Sequence, residues 1–303
     1  MEKYSIVVIG SSNTDMVVKA SHLPVPGETI LGGNFFMNAG GKGANQAVAA
    51  ARLGGNVSFI AKVGDDIFGR QAIELFRQEG IDVSSVMTDK ALPSGVALIT
   101  VDDKAENCIV VAPGANAALS VEDAAQFQQQ ISAAAILLMQ LETPVETIGY
   151  AAALAAGKQV KVVLNPAPAC ALPDELLKNI SIITPNEKEA EMLTGITVDS
   201  VATAEKAAAA LKAKGIETVI ITLGSKGALI FHEDKFEIVE APKVKAVDTT
   251  AAGDVFNGAL VVALSEGKEM KEAVTFACKA ASISVTRLGA QASAPYRREV
   301  SGQ

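Results

Sequence analysis

Asp254 has the setting in this chain that most suggests chemistry. It lies in Val247-Asp248-Thr249-Thr250-Ala251-Ala252-Gly253-Asp254-Val255-Phe256-Asn257-Gly258, where small residues lead into a helical run. Backbone N–H groups at such a helix start can converge on an anion with little obstruction, and Asp254 in the first turn would lie beside it. An Asp at this place can also serve only to complement the helix dipole, worth about 0.3–1 kcal/mol. The small-residue approach and the hydroxyls of Thr249 and Thr250 argue for more than that.

A second glycine-rich stretch, Asn38-Ala39-Gly40-Gly41-Lys42-Gly43-Ala44-Asn45-Gln46, opens another helix. It fits neither the dinucleotide pattern GxGxxG nor the phosphate-loop pattern GxxxxGK[ST]. Its glycines imply close backbone approach, and Asn45, one turn in, can present an amide to a neutral polar ligand. A tight strand-to-helix turn would read the same way. In Thr184-Pro185-Asn186-Glu187-Lys188-Glu189, Asn186 with Glu189 three residues later is an N-cap pattern. The same carboxylates could order water around magnesium, which keeps much of its hydration. Thr222-Leu223-Gly224-Ser225-Lys226-Gly227 is an ordinary turn between strands, or a nucleotide-facing loop at the carboxyl ends of parallel strands. In Gly10-Ser11-Ser12-Asn13-Thr14-Asp15, Asn13 and Asp15 either recognise hydroxyls or make an Asx turn. His22 and His232 fall in loop-like segments and receive no role. No HxxxH, CxxC or GxSxG pattern supports zinc hydrolysis or a serine triad.

These residues need a scaffold. Apolar, β-branched runs at 6–9, 57–63, 136–139, 160–164, 180–184 and 219–223 alternate with helical periods near 43–53, 67–79, 121–132, 145–157, 187–193 and 202–214. That alternation predicts an α/β fold, a doubly wound and mostly parallel sheet with helices on both faces. Gly54-Gly55, Gly80 and Gly215 mark helix ends. Near the end, strands at 228–231 and 236–240 precede helices at about 252–265 and 269–285. Residues 12–38 and 94–112 break the rhythm and read as a small β-sheet lid, inserted twice. The main domain is then 1–11, 39–93 and 113–303.

The chain has 303 residues, 49% hydrophobic and 20% charged, a balance that supplies a sizeable core. Its formal net charge of −8 argues against nucleic acid, whose binding draws on Lys and Arg. No apolar stretch is long enough to span a membrane, and the start passes into a strand with no signal-peptide pattern. Cys108, Cys170 and Cys278 are widely spaced and odd in number. They read as reduced thiols of a cytoplasmic protein, Cys108 and Cys170 as buried small side chains.

Taken together, the motifs closely resemble the PfkB-type carbohydrate kinases, from Ser5 to about Pro295. Gly40-Gly41-Lys42-Gly43-Ala44-Asn45-Gln46 matches the first signature of that family and Asp248-Thr249-Thr250-Ala251-Ala252-Gly253-Asp254 the second. Met139-Gln140-Leu141-Glu142, Asn165-Pro166-Ala167-Pro168 and Gly289-Ala290-Gln291 are similar to its ribose-phosphorylating branch. The resemblance implies an enzyme that moves the γ-phosphoryl group of ATP to O5 of D-ribose. Asp254 would be the base, with the amides of Ala251, Ala252 and Gly253 as the anion hole. Asn13, Thr14, Asp15, Gly41, Lys42, Gly43, Ala44, Asn45 and Glu142, with Asp254, would hold the sugar. Asn186, Thr222, Leu223, Gly224, Ser225, Lys226, Gly227, Gly253, Asp254 and Cys278 would line the ATP site. Asn186 and Glu189 would order magnesium through water. Asp248, Thr250, Ser284, Arg287, Gly289 and Ser293 would hold an activating potassium ion, some through carbonyls. The lid would pair two copies into a homodimer. Cys278 departs from the His or Asn that such kinases often carry near the adenine. The alternatives are a sister kinase for deoxyribose, fructose or a nucleoside, and a non-catalytic sugar-binding regulator.

Overall fold

A computed structural model describes residues 5–104 and 106–302. Residues 1–4, 105 and 303, which fall inside the predicted domain spans, lie outside the described residues. The strands are β1 (Ser5–Ile9), β2 (Asn13–Lys19), β3 (Phe35–Gly40), β4 (Asn56–Gly64), β5 (Val86–Asp89), β6 (Gly95–Val101), β7 (Asn107–Ala112), β8 (Ile136–Met139), β9 (Lys161–Leu164), β10 (Ile182–Ile183), β11 (Thr218–Thr222), β12 (Ala228–His232) and β13 (Lys235–Val239). The helices are α1 (Lys42–Arg52), α2 (Ile67–Gln78), α3 (Val121–Ala125), α4 (Gln128–Ala133), α5 (Val145–Ala156), α6 (Asp174–Leu177), α7 (Glu187–Thr194), α8 (Val201–Ala213), α9 (Ala252–Ser265), α10 (Met270–Ser284) and α11 (Arg297–Ser301).

The large sheet runs β13-β12-β11-β10-β9-β8-β1-β4-β5, parallel except for the hairpin strands β12 and β13. Its strands are apolar without interruption because both faces are covered. In β1, Ile6 and Val8 enter the core beneath α1, α9 and α10, while Val7 and Ile9 enter the core on the α5 and α8 side. β8 repeats this alternation, Ile136 and Leu138 on one face and Leu137 and Met139 on the other. From β1 the chain winds outward to β4 and β5, then returns to add β8 on the other side. The crevice beyond the carboxyl ends of β1 and β8 is thus the switch point where such sheets bind ligands.

The two stretches read as inserted β-structure form the second sheet, β3-β2-β6-β7, with β2 and β6 parallel and the outer pairs antiparallel. The sequence reading needs correction in several places. The helix expected over 121–132 is two, broken at Phe127 (φ −108°), whose side chain packs against the α5-side core. The strand expected over 180–184 is paired only at Ile182 and Ile183. β5, α6 and α11 were not anticipated. His232 ends β12 rather than lying in a loop, with Nδ1 2.8 Å from Thr218 Oγ1. Cys108 is exposed, because β7 is an edge strand whose six residues are all exposed, and Cys170, in the irregular segment between β9 and α6, is only half-buried.

Candidate active site

The glycines of the first motif let α1 start against the turn that leaves β1. Gly41 has φ 87°, and a Cβ on it would lie 2.7 Å from the Asn13 nitrogen. A Cβ on Gly43 would lie 2.6 Å from the Gly10 carbonyl carbon and the Ser11 nitrogen. No side chain fits there. The first turn of a helix leaves N–H groups without intrahelical partners. Here Glu142 Oε2 accepts from the Lys42 N–H at 2.9 Å and from Ser11 Oγ at 2.5 Å. Glu142 follows β8, so the two strands at the switch point are tied to the start of α1. Asn116 accepts from the Ser12 N–H at 2.9 Å and donates to Asn13 Oδ1 at 2.8 Å, which fixes the turn. Asp15 packs on Gly40, where a Cβ would lie 2.4 Å from either carboxylate oxygen.

Ala251 caps α9 in the left-handed region at φ 60°, so Ala252, Gly253 and Asp254 enter the helix from a sharp turn. Gly258 brings α9 close to α1; a Cβ there would lie 2.8 Å from the Gln46 carbonyl oxygen and the Ala49 Cβ. One turn earlier, Asp254 meets the α1 amides. Asn45 Nδ2 donates to Asp254 Oδ2 and Gln46 Nε2 to Oδ1, both at 2.9 Å. Asp254 is only 5% exposed, and burial pushes its carboxyl upward against the opposing pull of Lys42 and the two amides. Burial, then Glu142 and Asp254, raise Asp15 to about 6. Burial works against the Lys42 ammonium, but Asp254, Glu142, Glu189 and Asp15 outweigh it and hold its pKa above the usual value. Asn45 Oδ1 is buried and has no partner among the described residues. Carboxylates, one ammonium and an amide oxygen seeking a donor suit a neutral polyol.

On the other side of Asp254, Asn186 and Glu189 form the capping box of α7, with reciprocal bonds of 2.8 Å. Burial raises the Glu189 carboxyl, against the Asn186 N–H and Lys42, and Asp254 adds to the rise. The capping pattern is therefore real, and its Glu also feels the charges of the Asp254 cavity. Asn186 bridges Thr222, and the Thr222 N–H donates to the Pro185 carbonyl at 2.9 Å, which sets the 222–227 turn beside it. Leu223 to Gly227 make a short 3-10 turn, Gly224 at φ 56° and Gly227 at φ 104°. Cys278 is buried on α10 within the core, and burial raises its thiol to about 11.

Asp248 joins three segments. Its Oδ1 accepts from the Thr250 N–H and its Oδ2 from the Gly289 N–H, each at 2.9 Å, while the Val247 N–H donates to the Val285 carbonyl at 2.7 Å. Burial works against the Asp248 carboxylate, yet these bonds hold its pKa below the ordinary value. Ser284 and Ser293 are fully buried, their hydroxyls donating to Ala281 and Ala290 carbonyls at 2.8 Å. The Arg287 guanidinium pairs with Glu299, so Arg287 can offer a cation only its carbonyl.

The model of the pfkB family carbohydrate kinases matches residues 3–297. The chain belongs to this family. A ribokinase of Haemophilus influenzae is 50% identical over 295 residues, 97% of this chain and 96% of its own. A Thermotoga maritima ribokinase structure superposes with TM-score 0.91 at 43% identity, covering 99% of this chain and 98% of that one. The Arabidopsis thaliana ribokinase solved with ribose and ATP gives 0.93 at 33% identity, with the same coverage.

For this PfkB kinase, sequence reasoning gave no individual role to Gln46, Asn116, Gln140, Asn165, Thr184 and Asn257, although all but Asn116 lie in the quoted motifs. All six are buried and hydrogen-bonded. A signal existed: Gln140 directly follows the apolar run 136–139, and Asn257 interrupts Val255-Phe256 on a helix otherwise buried on all sides. A polar side chain inside an apolar run needs a partner.

Proposed function

We propose that this chain transfers the γ-phosphoryl group of ATP to O5 of D-ribose, giving D-ribose 5-phosphate and ADP. The observation that carries the reading is the buried Asp254 carboxylate at the start of α9, held by the Asn45 and Gln46 amides of the first glycine-rich motif. Asp254 takes the proton of the 5-hydroxyl as that oxygen attacks the γ-phosphorus in line. The bond to the β-bridging oxygen breaks, and ADP leaves with that electron pair. The N–H groups of Ala251, Gly253 and Asp254 face the developing charge, where positioning and fixed dipoles supply most of the rate; that of Ala252 donates to the Thr249 carbonyl at 3.2 Å and would have to leave it to join them. Asn13, Thr14, Asp15, Lys42, Asn45 and Glu142 hold the sugar. Cys278 bounds the adenine.

Asn186 and Glu189 would hold magnesium through water, since one carboxylate and an amide are a sparse direct set, and the bound ion would supply charge neutralisation at the phosphates of ATP. Asp248 fits a potassium ion with the neutral oxygens of Thr250, Ser284, Arg287, Gly289 and Ser293. Residues 12–38 and 94–112 act as the lid, which excludes water so that ATP is not hydrolysed. Phe35, Phe36, Met37, Leu98, Ile109, Val110 and Val111 are exposed on that sheet and favour a second copy as the partner. ATP use and reduced thiols favour the cytoplasm.

The test is ADP release with magnesium and ATP across ribose, deoxyribose, fructose and adenosine, with and without potassium. Strong, potassium-enhanced turnover on ribose is expected. Preference for another acceptor would keep Asp254 and the anion hole and overturn the ribose assignment. Binding without turnover on any would favour a regulator.

A further inference from the structure

Gly253 and Asp254 are neighbours in the chain, and buried side chains join them a second time. Gln46 Nε2 donates to Asp254 Oδ1 at 2.9 Å and to Asn165 Oδ1 at 3.0 Å. Asn165 Nδ2 donates to the Thr184 carbonyl at 3.2 Å, Thr184 Oγ1 to Asn257 Oδ1 at 2.7 Å, and Asn257 Nδ2 to the Gly253 carbonyl at 2.8 Å. The ring thus runs from α1 through the ends of β9 and β10 and back to α9.

Its polarity is dictated by groups that can only accept. A backbone carbonyl has no proton to give. The Thr184 carbonyl therefore turns the Asn165 NH2 toward itself and leaves Asn165 Oδ1 facing Gln46. Gln140 Nε2 donates to Gln46 Oε1 at 2.6 Å; Gln140 Oε1 is buried with no partner among the described residues, so Gln140 satisfies the Gln46 oxygen without itself fixing the orientation. Both protons of the Gln46 amide are then committed, one to Asn165 and one to Asp254. At the far end the Gly253 carbonyl orients Asn257, and Asn257 Oδ1 in turn receives the Thr184 hydroxyl proton. Buried networks of this kind rigidify a site when their members are satisfied.

We propose that Gln46 is a positioning residue: held proton-outward by Asn165, which the Thr184 carbonyl orients, it aims the Asp254 carboxylate and, through Thr184 and Asn257, locks it to the Gly253 end of the anion hole. The proposal rests on the reading of Asp254 as the base. The charged groups facing Asp254 are Lys42 of α1, Glu142 beyond β8, Asp15 of β2 and Glu189 of α7. None of them replaces a lost Gln46 proton at Oδ1.

The experiment measures kcat against pH for ribose at saturating magnesium-ATP, in the wild type, Gln46→Met, Thr184→Val and Thr184→Ser, with Asp254→Asn as reference. Gln46→Met is expected to lower kcat about 10–100-fold with little change in ribose KM, as for an interaction made in the transition state. Its acid limb should move up by about one pH unit, because a carboxylate that loses a donor holds its proton more tightly. Thr184→Val should lower kcat, and Thr184→Ser, which keeps the hydroxyl, should restore it. A wild-type kcat and acid limb in Gln46→Met, with Asp254→Asn inactive, would overturn the proposal and leave the base in place. Turnover in Asp254→Asn would remove the base reading and the proposal together. Should Gln46→Met not fold, equal kcat in Thr184→Val and Thr184→Ser overturns it.

Discussion

At the scale of the residue, Asp15, Glu142, Asp254 and Glu189 all act on the one ammonium of Lys42. Crowded carboxylates serve ligand binding at the expense of the folded state, and Asp15 makes this testable. Its pKa rises from 3.8 to about 6 on folding, so the folded state binds its proton more tightly than the unfolded chain does. The stabilising contribution is complete below pH 3.8 and is lost as pH rises through 6, leaving an ionised carboxylate that costs stability above that. Asp15→Asn should therefore raise the melting temperature by roughly 2–4 °C at pH 8 and much less at pH 4, while weakening ribose binding. Scanning calorimetry at the two pH values checks this; an equal shift at both would contradict the assignment. Asp254 was legible because small residues leading into a helix start leave its backbone N–H groups open to an anion beside that carboxylate. Its partner Gln46 was not, because an amide beside Asn45 gives no hint of which neighbour it orients.

At the scale of the element, the site depends on how closely α9 approaches α1. Gly258 permits that approach, and its added Cβ would press on backbone and Ala49 rather than on a flexible chain. Gly258→Val should cost about 1–3 kcal/mol by overpacking. It should also lower kcat more than it raises ribose KM, since it shifts Asp254 from Asn45 and Gln46. Urea unfolding and steady-state kinetics on one preparation measure both; unchanged kcat in a destabilised variant would separate packing from aim. The large parallel sheet was readable because strands covered on both faces leave unbroken apolar runs. β10 was overread for a related reason: Ile180 enters the same core as Ile183 although it lies outside the two residues that pair. The break at Phe127 was hidden because an apolar residue at that spacing fits a continuing helix as well as a core contact.

At the scale of the molecule, the second sheet exposes apolar side chains on both faces, and Met37, Leu98 and Val110 share one of them across paired strands. Its strands alternate too weakly to show from sequence which face is covered, and so Cys108 on β7 was misplaced. If a second copy covers this face, Val110→Lys should convert a dimer into a monomer at micromolar concentration, seen by sedimentation velocity. An unchanged mass would place the partner elsewhere. The second sheet, through Asp15, and the start of α1, through Lys42, Asn45 and Gln46, converge on the one carboxylate at the start of α9. Asp254→Asn is therefore the most direct measurement: turnover of ribose, with ATP binding followed in parallel. A loss of roughly 10²–10⁴-fold in kcat, the size of general-base catalysis, is expected, with ATP still bound. Near-normal turnover by the folded variant would contradict it.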